Sequence, residues 1–146
     1  MSEIQEVPEK FFGSFKLEKS ENFDAYLSKR GVNWFLRKMI QMSSITKIIS
    51  KGTTPNTYNF ENVAPKMNLK YDNWKLGEEF EAKGFDGDMH KIMFQMADPD
   101  TLTERHIRLN MTGDAGETYG YTIENDYLVL TMTQGDVKCR RFLKRQ

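Results

Sequence analysis

The last apolar segment of the chain carries a charged residue on the face where an apolar side chain is expected. Read as a strand, residues 137–144 place four side chains on one face: Val137, Cys139, Arg141 and Leu143. A buried guanidinium is costly unless an anion or ordered water satisfies its donors. Arg141 is therefore predicted to bind a carboxylate inside the fold; the alternative is that this run of charge only protects a strand against edge pairing.

Cys139 lies on the same predicted face as Arg141 and is the only cysteine in the sequence. A single cysteine forms no intrachain disulfide, which excludes the class of small secreted proteins built on disulfides. We therefore expect a cytoplasmic protein. In apolar surroundings a thiol behaves as a small hydrophobic group, so Cys139 is predicted to line the interior and not to act as a nucleophile.

The remaining reactive side chains do not form a catalytic or metal-binding pattern. His90 and His106 lack a second pair of metal ligands at the usual spacing. No Ser-His-Asp or Cys-His group lies on a recognisable nucleophile elbow, and residues 84–87 (Gly-Phe-Asp-Gly) have the composition of a hairpin turn. We therefore expect no enzyme activity, no metal and no cofactor.

Length and charge limit the class of protein further. The 146 residues suit one domain, and 21 basic residues balance 21 acidic ones, so no net charge attracts nucleic acid. The mean hydropathy is −0.66, and no apolar run approaches the roughly 18 residues that cross a bilayer. We expect a soluble monomer with a flexible N-terminal extension over 1–10, which has no signal-peptide pattern, and a folded domain over 11–146.

The spacing of apolar residues predicts a strand followed by two helices in the first third of the chain. Residues 12–18 alternate between apolar and polar, which indicates a strand. From Ser20 the i, i+3, i+4 spacing predicts a helix ending at Gly31, and a second helix is predicted over residues 32–43. The second helix has more apolar surface than one buried stripe needs, so part of it should face something other than the core.

After Ser44 the sequence is typical of strands separated by turns. Turn signals such as Pro55-Asn56 and residues 98–100 recur about every ten residues, which predicts an antiparallel meander that closes into a barrel. Residues 118–123 and 127–133 alternate most clearly. Four side chains of these two strands are expected to line the interior: Tyr119, Tyr121, Leu130 and Met132.

The run from Gly13 to Leu27, Gly-Ser-Phe-Lys-Leu-Glu-Lys-Ser-Glu-Asn-Phe-Asp-Ala-Tyr-Leu, resembles the N-terminal signature of the cytosolic fatty-acid-binding protein family. The similarity continues through the helices and residues 76–80 to the final strand, 135–145. It implies an all-β fold, a ten-stranded antiparallel up-and-down barrel with a two-helix lid. It also implies an intracellular carrier of a fatty acid or a similar hydrophobic ligand.

In that family an arginine and a tyrosine on the last strand, spaced R-x-Y, hold the carboxylate, often with a second arginine two strands earlier. Carried over by position, the first arginine is Arg141, whereas Leu143 takes the tyrosine position and Tyr121 that of the second arginine. Tyr121 is expected to hydrogen-bond the ligand, directly or through water. A shift of one residue would instead turn Arg140 inward together with Lys138, so Arg141 is preferred. A neutral lipid or a bulkier amphiphile remains an alternative ligand.

The resemblance further implies an entry portal formed by the second helix and a facing loop. Its apolar members by position are Trp34, Phe35, Met39 and Met67. Six basic residues near the helices form a possible patch for anionic membranes: Lys29, Arg30, Arg37, Lys38, Lys47 and Lys51. Arg37 and Lys38 also resemble part of the family's nuclear-import surface, so delivery to a membrane or a nuclear receptor, with a nuclear as well as a cytoplasmic location, is the alternative function. The opposing interpretation is a solvated charged face.

Overall fold

The alternating segments of the sequence form one antiparallel sheet in the computed structural model, which describes residues 6–146. The sheet has ten strands. Their bounds are β1 Gly13–Glu21, β2 Thr46–Lys51, β3 Tyr58–Ala64, β4 Met67–Trp74, β5 Phe80–Lys83, β6 Met89–Asp98, β7 Thr101–Arg108, β8 Glu117–Glu124, β9 Tyr127–Gln134 and β10 Val137–Arg145.

The strands pair as an up-and-down meander that curls into a nearly closed barrel. From β1 to β4 and from β5 to β10 each strand pairs with the next in sequence, and β1 pairs with β10, so the order is β4-β3-β2-β1-β10-β9-β8-β7-β6-β5. The terminal strands β4 and β5 contact each other without a hydrogen-bonded ladder. The predicted ten-stranded antiparallel barrel is confirmed.

Two short helices, α1 (Phe23–Lys29) and α2 (Trp34–Met42), connect β1 to β2 and form the predicted lid. The predicted apolar stripe of α1 is buried, whereas α2 has no buried residue. Asn33 caps α2 by accepting a hydrogen bond from the backbone N–H of Leu36 at 2.9 Å. Neither helix of residues 6–146 is long and apolar enough to cross a membrane.

Described residues that precede Phe11 already pack against the barrel. Val7 is buried, and its backbone N–H donates to the Tyr58 hydroxyl at 3.1 Å. Lys10 forms an ion pair with Asp100 at 2.5 Å, and Phe11 is fully buried. The packed region thus starts earlier than the predicted boundary between 1–10 and 11–146, and residues 1–5 of that predicted extension lie outside the described residues.

Part of the barrel interior is filled by a cluster of aromatic side chains. Trp74 stacks on Phe94 with ring centres 4.1 Å apart, and Phe60 lies 5.2 Å from Phe94. Burial of such large rings is a major source of stability in a small domain. The cluster occupies the part of the interior between β3, β4 and β6.

Candidate ligand-binding site

A cavity of about 370 Å³ lies between the barrel wall and the helices. This volume falls within the usual range of small-molecule sites. Most of the wall is apolar, and α1, α2 and the strands of both halves of the barrel contribute to it. Its charged or phenolic members are Tyr26, Arg30, Lys47, Tyr119, Tyr121 and Arg141.

Arg141 reaches this cavity from β10, with 9 % of its surface exposed. Its Nε donates to Ser20 Oγ at 3.0 Å, and the guanidinium lies 3.8 Å from the centre of the Phe23 ring. Among the described residues, none accepts a hydrogen bond from its two terminal nitrogens. Burial lowers the pKa of Arg141 to about 10, since desolvation penalises the charged form. An anion in the cavity would relieve this penalty.

Arg140, the alternative inward residue, points to the outside of the barrel. Its guanidinium pairs with the Glu124 carboxylate at 2.5 Å, and about a third of its side chain is exposed. The structure therefore has the register in which Arg141 faces inward and Arg140 faces outward.

A second cation, Lys47, is also inside the barrel, and sequence reasoning wrongly assigned it to the surface patch. It is 3 % exposed, lines the cavity from β2, and its Nζ donates to Asn62 Oδ1 at 2.6 Å. Burial lowers the pKa of Lys47 to about 8 despite the favourable charge of Glu104. The signal was present in the alternation of β2, which puts Lys47 on the same face as Ile49.

Glu104 on β7 is the buried anion that balances this charge, and sequence reasoning missed it. Its side chain has no exposed surface, and its carboxylate accepts from the Tyr121 hydroxyl and contacts His106 Nε2, both at 2.6 Å. Burial acts to raise the pKa of Glu104, but the hydrogen bond and charge of His106 and the charge of Lys47 outweigh it. The pKa of Glu104 is lowered overall.

The hydrogen bonds continue from Glu104 to the surface. Nδ1 of His106 lies 2.9 Å from Nδ1 of His90, and Nε2 of His90 lies 2.9 Å from Asp86, which is partly exposed in the β5–β6 turn. Gly84 of that turn must lack a side chain, because a Cβ there would lie 2.3 Å from the His90 ring. The predicted turn at residues 84–87 thus covers a buried network of hydrogen-bonded polar side chains.

The Tyr121 hydroxyl belongs to this hydrogen-bond network, because it donates to the Glu104 carboxylate. Burial and the charge of Glu104 raise its pKa well above the usual value. Its ring lines the cavity, but its proton points to Glu104 and not to the open space. This differs from the predicted role of Tyr121 as a hydrogen-bond donor to the ligand.

The structure divides the other predicted lining residues into two groups. Tyr119, Leu130 and Met132 line the cavity. Cys139 and Leu143 are fully buried and do not belong to the wall of this cavity, so their role as lining residues stays a prediction. Burial raises the pKa of the Cys139 thiol to about 11.

Comparison with known proteins identifies the relatives of this chain. None of the sequence models of protein families matches it. It is 50 % identical over 140 residues to a Caenorhabditis elegans protein named fatty acid-binding protein homolog 3, covering 96 % of this chain and 84 % of that protein. The chain belongs to the fatty acid-binding protein family. The corresponding homolog of Ascaris suum is 41 % identical over 146 residues and covers 99 % of this chain and 89 % of that protein.

Solved structures of fatty acid-binding proteins have the same fold. The one described as As-p18, an extracellular fatty acid binding protein, has a TM-score of 0.94 at 41 % identity and covers 97 % of this chain and all of that one. The Schistosoma mansoni fatty acid binding protein in complex with arachidonic acid has a TM-score of 0.77 at 28 % identity, covering 94 % of this chain and 97 % of that one. These matches confirm the resemblance derived from the sequence.

The helix α2 of this fatty acid-binding protein, which was predicted to form the portal, exposes apolar side chains. Trp34 is 63 % exposed and Phe35 is 68 % exposed, and Met39 lies beside them on α2. Met67, predicted on a loop, is the first residue of β4; it is partly exposed and lines the cavity.

The predicted basic patch is not assembled in this fatty acid-binding protein. Arg37 donates to Asp24 at 3.0 Å and to the Val32 carbonyl at 2.8 Å, which ties α2 to α1. Lys38 lies 3.9 Å from Asp24 and 5.9 Å from the centre of the Trp34 ring. Arg30 pairs with a carboxylate on β8, Lys29 lies 3.5 Å from Asp136 and Lys47 is internal, so these residues do not form one concentrated surface cation site.

Proposed function

We propose that the protein binds one long-chain fatty acid in the cavity, with the carboxylate at Arg141, and transports it within the cell. The observation that supports this most strongly is the buried guanidinium, whose terminal nitrogens have no protein acceptor among residues 6–146. A carboxylate matches the paired donors of a guanidinium. The names of the relatives and the arachidonic acid complex of the Schistosoma protein agree with this ligand class.

The charges of the cavity favour a monoanionic ligand. Arg30 pairs with Glu117, and Glu104 offsets Lys47, so among the described wall residues Arg141 is the cation left without a counter-charge. The apolar wall contacts the acyl chain of the ligand, and each buried methylene contributes about 0.8 kcal/mol to binding. The hydrophobic tail therefore supplies most of the affinity, and Arg141 supplies orientation and selectivity for an acid.

Replacing Arg141 by glutamine is expected to weaken hexadecanoic acid binding about 10- to 100-fold, the typical effect of losing hydrogen bonds to a charged group. Hexadecanol has no charge to pair, so its affinity should change less than about threefold. Titration calorimetry with both ligands measures the difference. Arg140→Gln is the matched control, because Arg140 is adjacent in sequence and faces outward. Equal losses for acid and alcohol would exclude Arg141 as the anchor.

A second candidate function, delivery of the ligand to a membrane surface, is favoured by the exposed apolar side chains of α2. Exposure of Trp34 and Phe35 to water is unfavourable, and their transfer to the interfacial region of a bilayer would be favourable. Because Arg37 is paired with Asp24, we expect the contact to depend more on these apolar side chains than on charge. A nuclear receptor is the other partner that such a helix could contact.

For this delivery function, replacing both Trp34 and Phe35 by alanine is expected to slow transfer of a fluorescent fatty acid to anionic vesicles about tenfold. The reason is that the two aromatic side chains that would insert into the bilayer are lost. The rate for the native protein should rise with vesicle concentration. A native rate that does not depend on vesicle concentration would indicate release into water and would rule out delivery by contact.

We propose the cytoplasm as the main compartment, supported by a single cysteine that is free and buried. The neighbour As-p18 is described as extracellular, so secretion is the competing outcome. Fractionation of cells producing the full chain distinguishes the two.

A further inference from the structure

Lys47 is a primary amine within the proposed ligand cavity, and no direct ion pair holds its charge there. No carboxylate of the described residues lies within ion-pair distance of its Nζ, and its hydrogen bond goes to the neutral amide oxygen of Asn62 at 2.6 Å. The centres of the Phe60, Phe85 and Tyr121 rings lie 5.3, 5.7 and 5.6 Å from Nζ. The amine is thus fixed in position and surrounded by rings.

Such an amine is chemically different from a surface lysine. With a pKa of about 8, about a fifth of the Lys47 side chains are neutral at pH 7.4, against about 0.1 % for an ordinary lysine. Only the neutral amine is a nucleophile towards a carbonyl carbon. Lys47 is 3 % exposed, and this burial limits the access of water that would hydrolyse a carbonyl adduct.

We propose that Lys47 captures long-chain aldehydes in the cavity as a Schiff base. This inference rests on the proposed function only in that the cavity must accept an acyl chain. An aldehyde has no charge and needs no guanidinium, so its binding does not depend on Arg141. Lys47, in contrast, supplies a bond that only a carbonyl compound can form.

The chemistry balances without an oxidant or a reductant. Nζ attacks the carbonyl carbon to form a carbinolamine, in which a new C–N bond replaces the π bond of the carbonyl. The carbon–oxygen bond then breaks, and the oxygen leaves as water with the two protons of the amine. When protonated, the imine keeps the positive charge of Lys47 close to Glu104, the carboxylate whose charge already favours a cation at this position.

The test uses the full chain with hexadecanal and sodium cyanoborohydride, which converts the protonated imine into a stable secondary amine. We expect one adduct per protein in the intact mass, located at Lys47 by peptide mapping. At pH 7.4, Lys47 should react at least about tenfold faster than Lys51, an exposed lysine on the same strand. Excess hexadecanoic acid should suppress the reaction by occupying the cavity.

Two variants make the assignment specific. Lys47→Arg should remove the adduct, and the matched control Lys51→Arg should leave it unchanged. Adducts distributed over exposed lysines, or a full yield in Lys47→Arg, would overturn the proposal. If Lys47→Arg does not fold, the peptide map of the native chain decides alone.

The outcome is separable from that of the proposed function. If hexadecanoic acid binds and Lys47 does not react, aldehyde capture is excluded and fatty acid binding stands. If Lys47 reacts selectively while Arg141→Gln does not weaken acid binding, aldehyde capture is supported and the anchor assignment fails.

Discussion

Replacing Glu104 by glutamine is expected to lower the free energy of unfolding by about 3–5 kcal/mol at pH 7, the usual result of removing one member of a buried charge network. Glu104 has no exposed surface and accepts from Tyr121 and His106. Glutamine has the same size but carries no charge, so Lys47 loses the counter-charge that makes its burial tolerable. Urea denaturation followed by circular dichroism measures the change.

The control for this prediction is Glu124→Gln, which removes the partner of Arg140 at the surface. A partly exposed ion pair contributes about 0–1 kcal/mol, so little change is expected there. Adding Lys47→Met to Glu104→Gln should recover part of the lost stability, because the unbalanced cation is then gone. A Glu104→Gln variant within 1 kcal/mol of the native chain would mean that the network does not stabilise the fold.

The barrel could be predicted from the sequence because its information is local. The alternation around Tyr119 and Tyr121 and the turn signals between strands predict an antiparallel meander with little help from distant contacts, whereas the count of ten strands comes from the family resemblance. The inward side of Arg141 follows from the same alternation in β10. Alternation gives the face of a side chain but not its depth along the barrel axis. Cys139 and Leu143 therefore share a face with Arg141 but do not belong to the wall of the cavity.

The polar interior could not be predicted in the same way, because each polar side chain becomes tolerable only through a partner on another strand. Lys47 needs Asn62 on β3, and Glu104 needs Tyr121 on β8. Alternation puts each of them on an inward face, but a charge there is plausible only once its partner on the other strand is known. The proximity of His90 and His106 is closer to what the sequence specifies, because the turn at residues 98–100 fixes the pairing of β6 with β7 and so places the two histidines near each other.

The native chain is expected to gain stability relative to Lys47→Met as the pH rises from about 8 to 10.5. In this window the unfolded chain keeps a proton on Lys47, with a pKa near 10.5, whereas the folded chain has lost it, with a pKa of about 8. The unfolded state therefore binds more protons, and the free energy of unfolding increases with pH, by about 3 kcal/mol over the window. Below pH 8 both states are protonated, and the cost of burying the charge is constant.

Urea denaturation of both proteins at pH 7, 8, 9, 10 and 10.5 measures this difference. The surface groups also titrate in this range, but they are present in both proteins and cancel. Arg141, with a pKa of about 10, is coupled to Lys47 through charge, so the difference between the proteins is read from pH 8 to 9, below the pKa of Arg141. Lys51→Met is the matched control and should give a curve parallel to that of the native chain, since Lys51 is exposed. Parallel curves for Lys47→Met as well would mean that Lys47 keeps its proton in the fold, and the neutral amine needed for aldehyde capture would then be as rare at pH 7.4 as on any surface lysine.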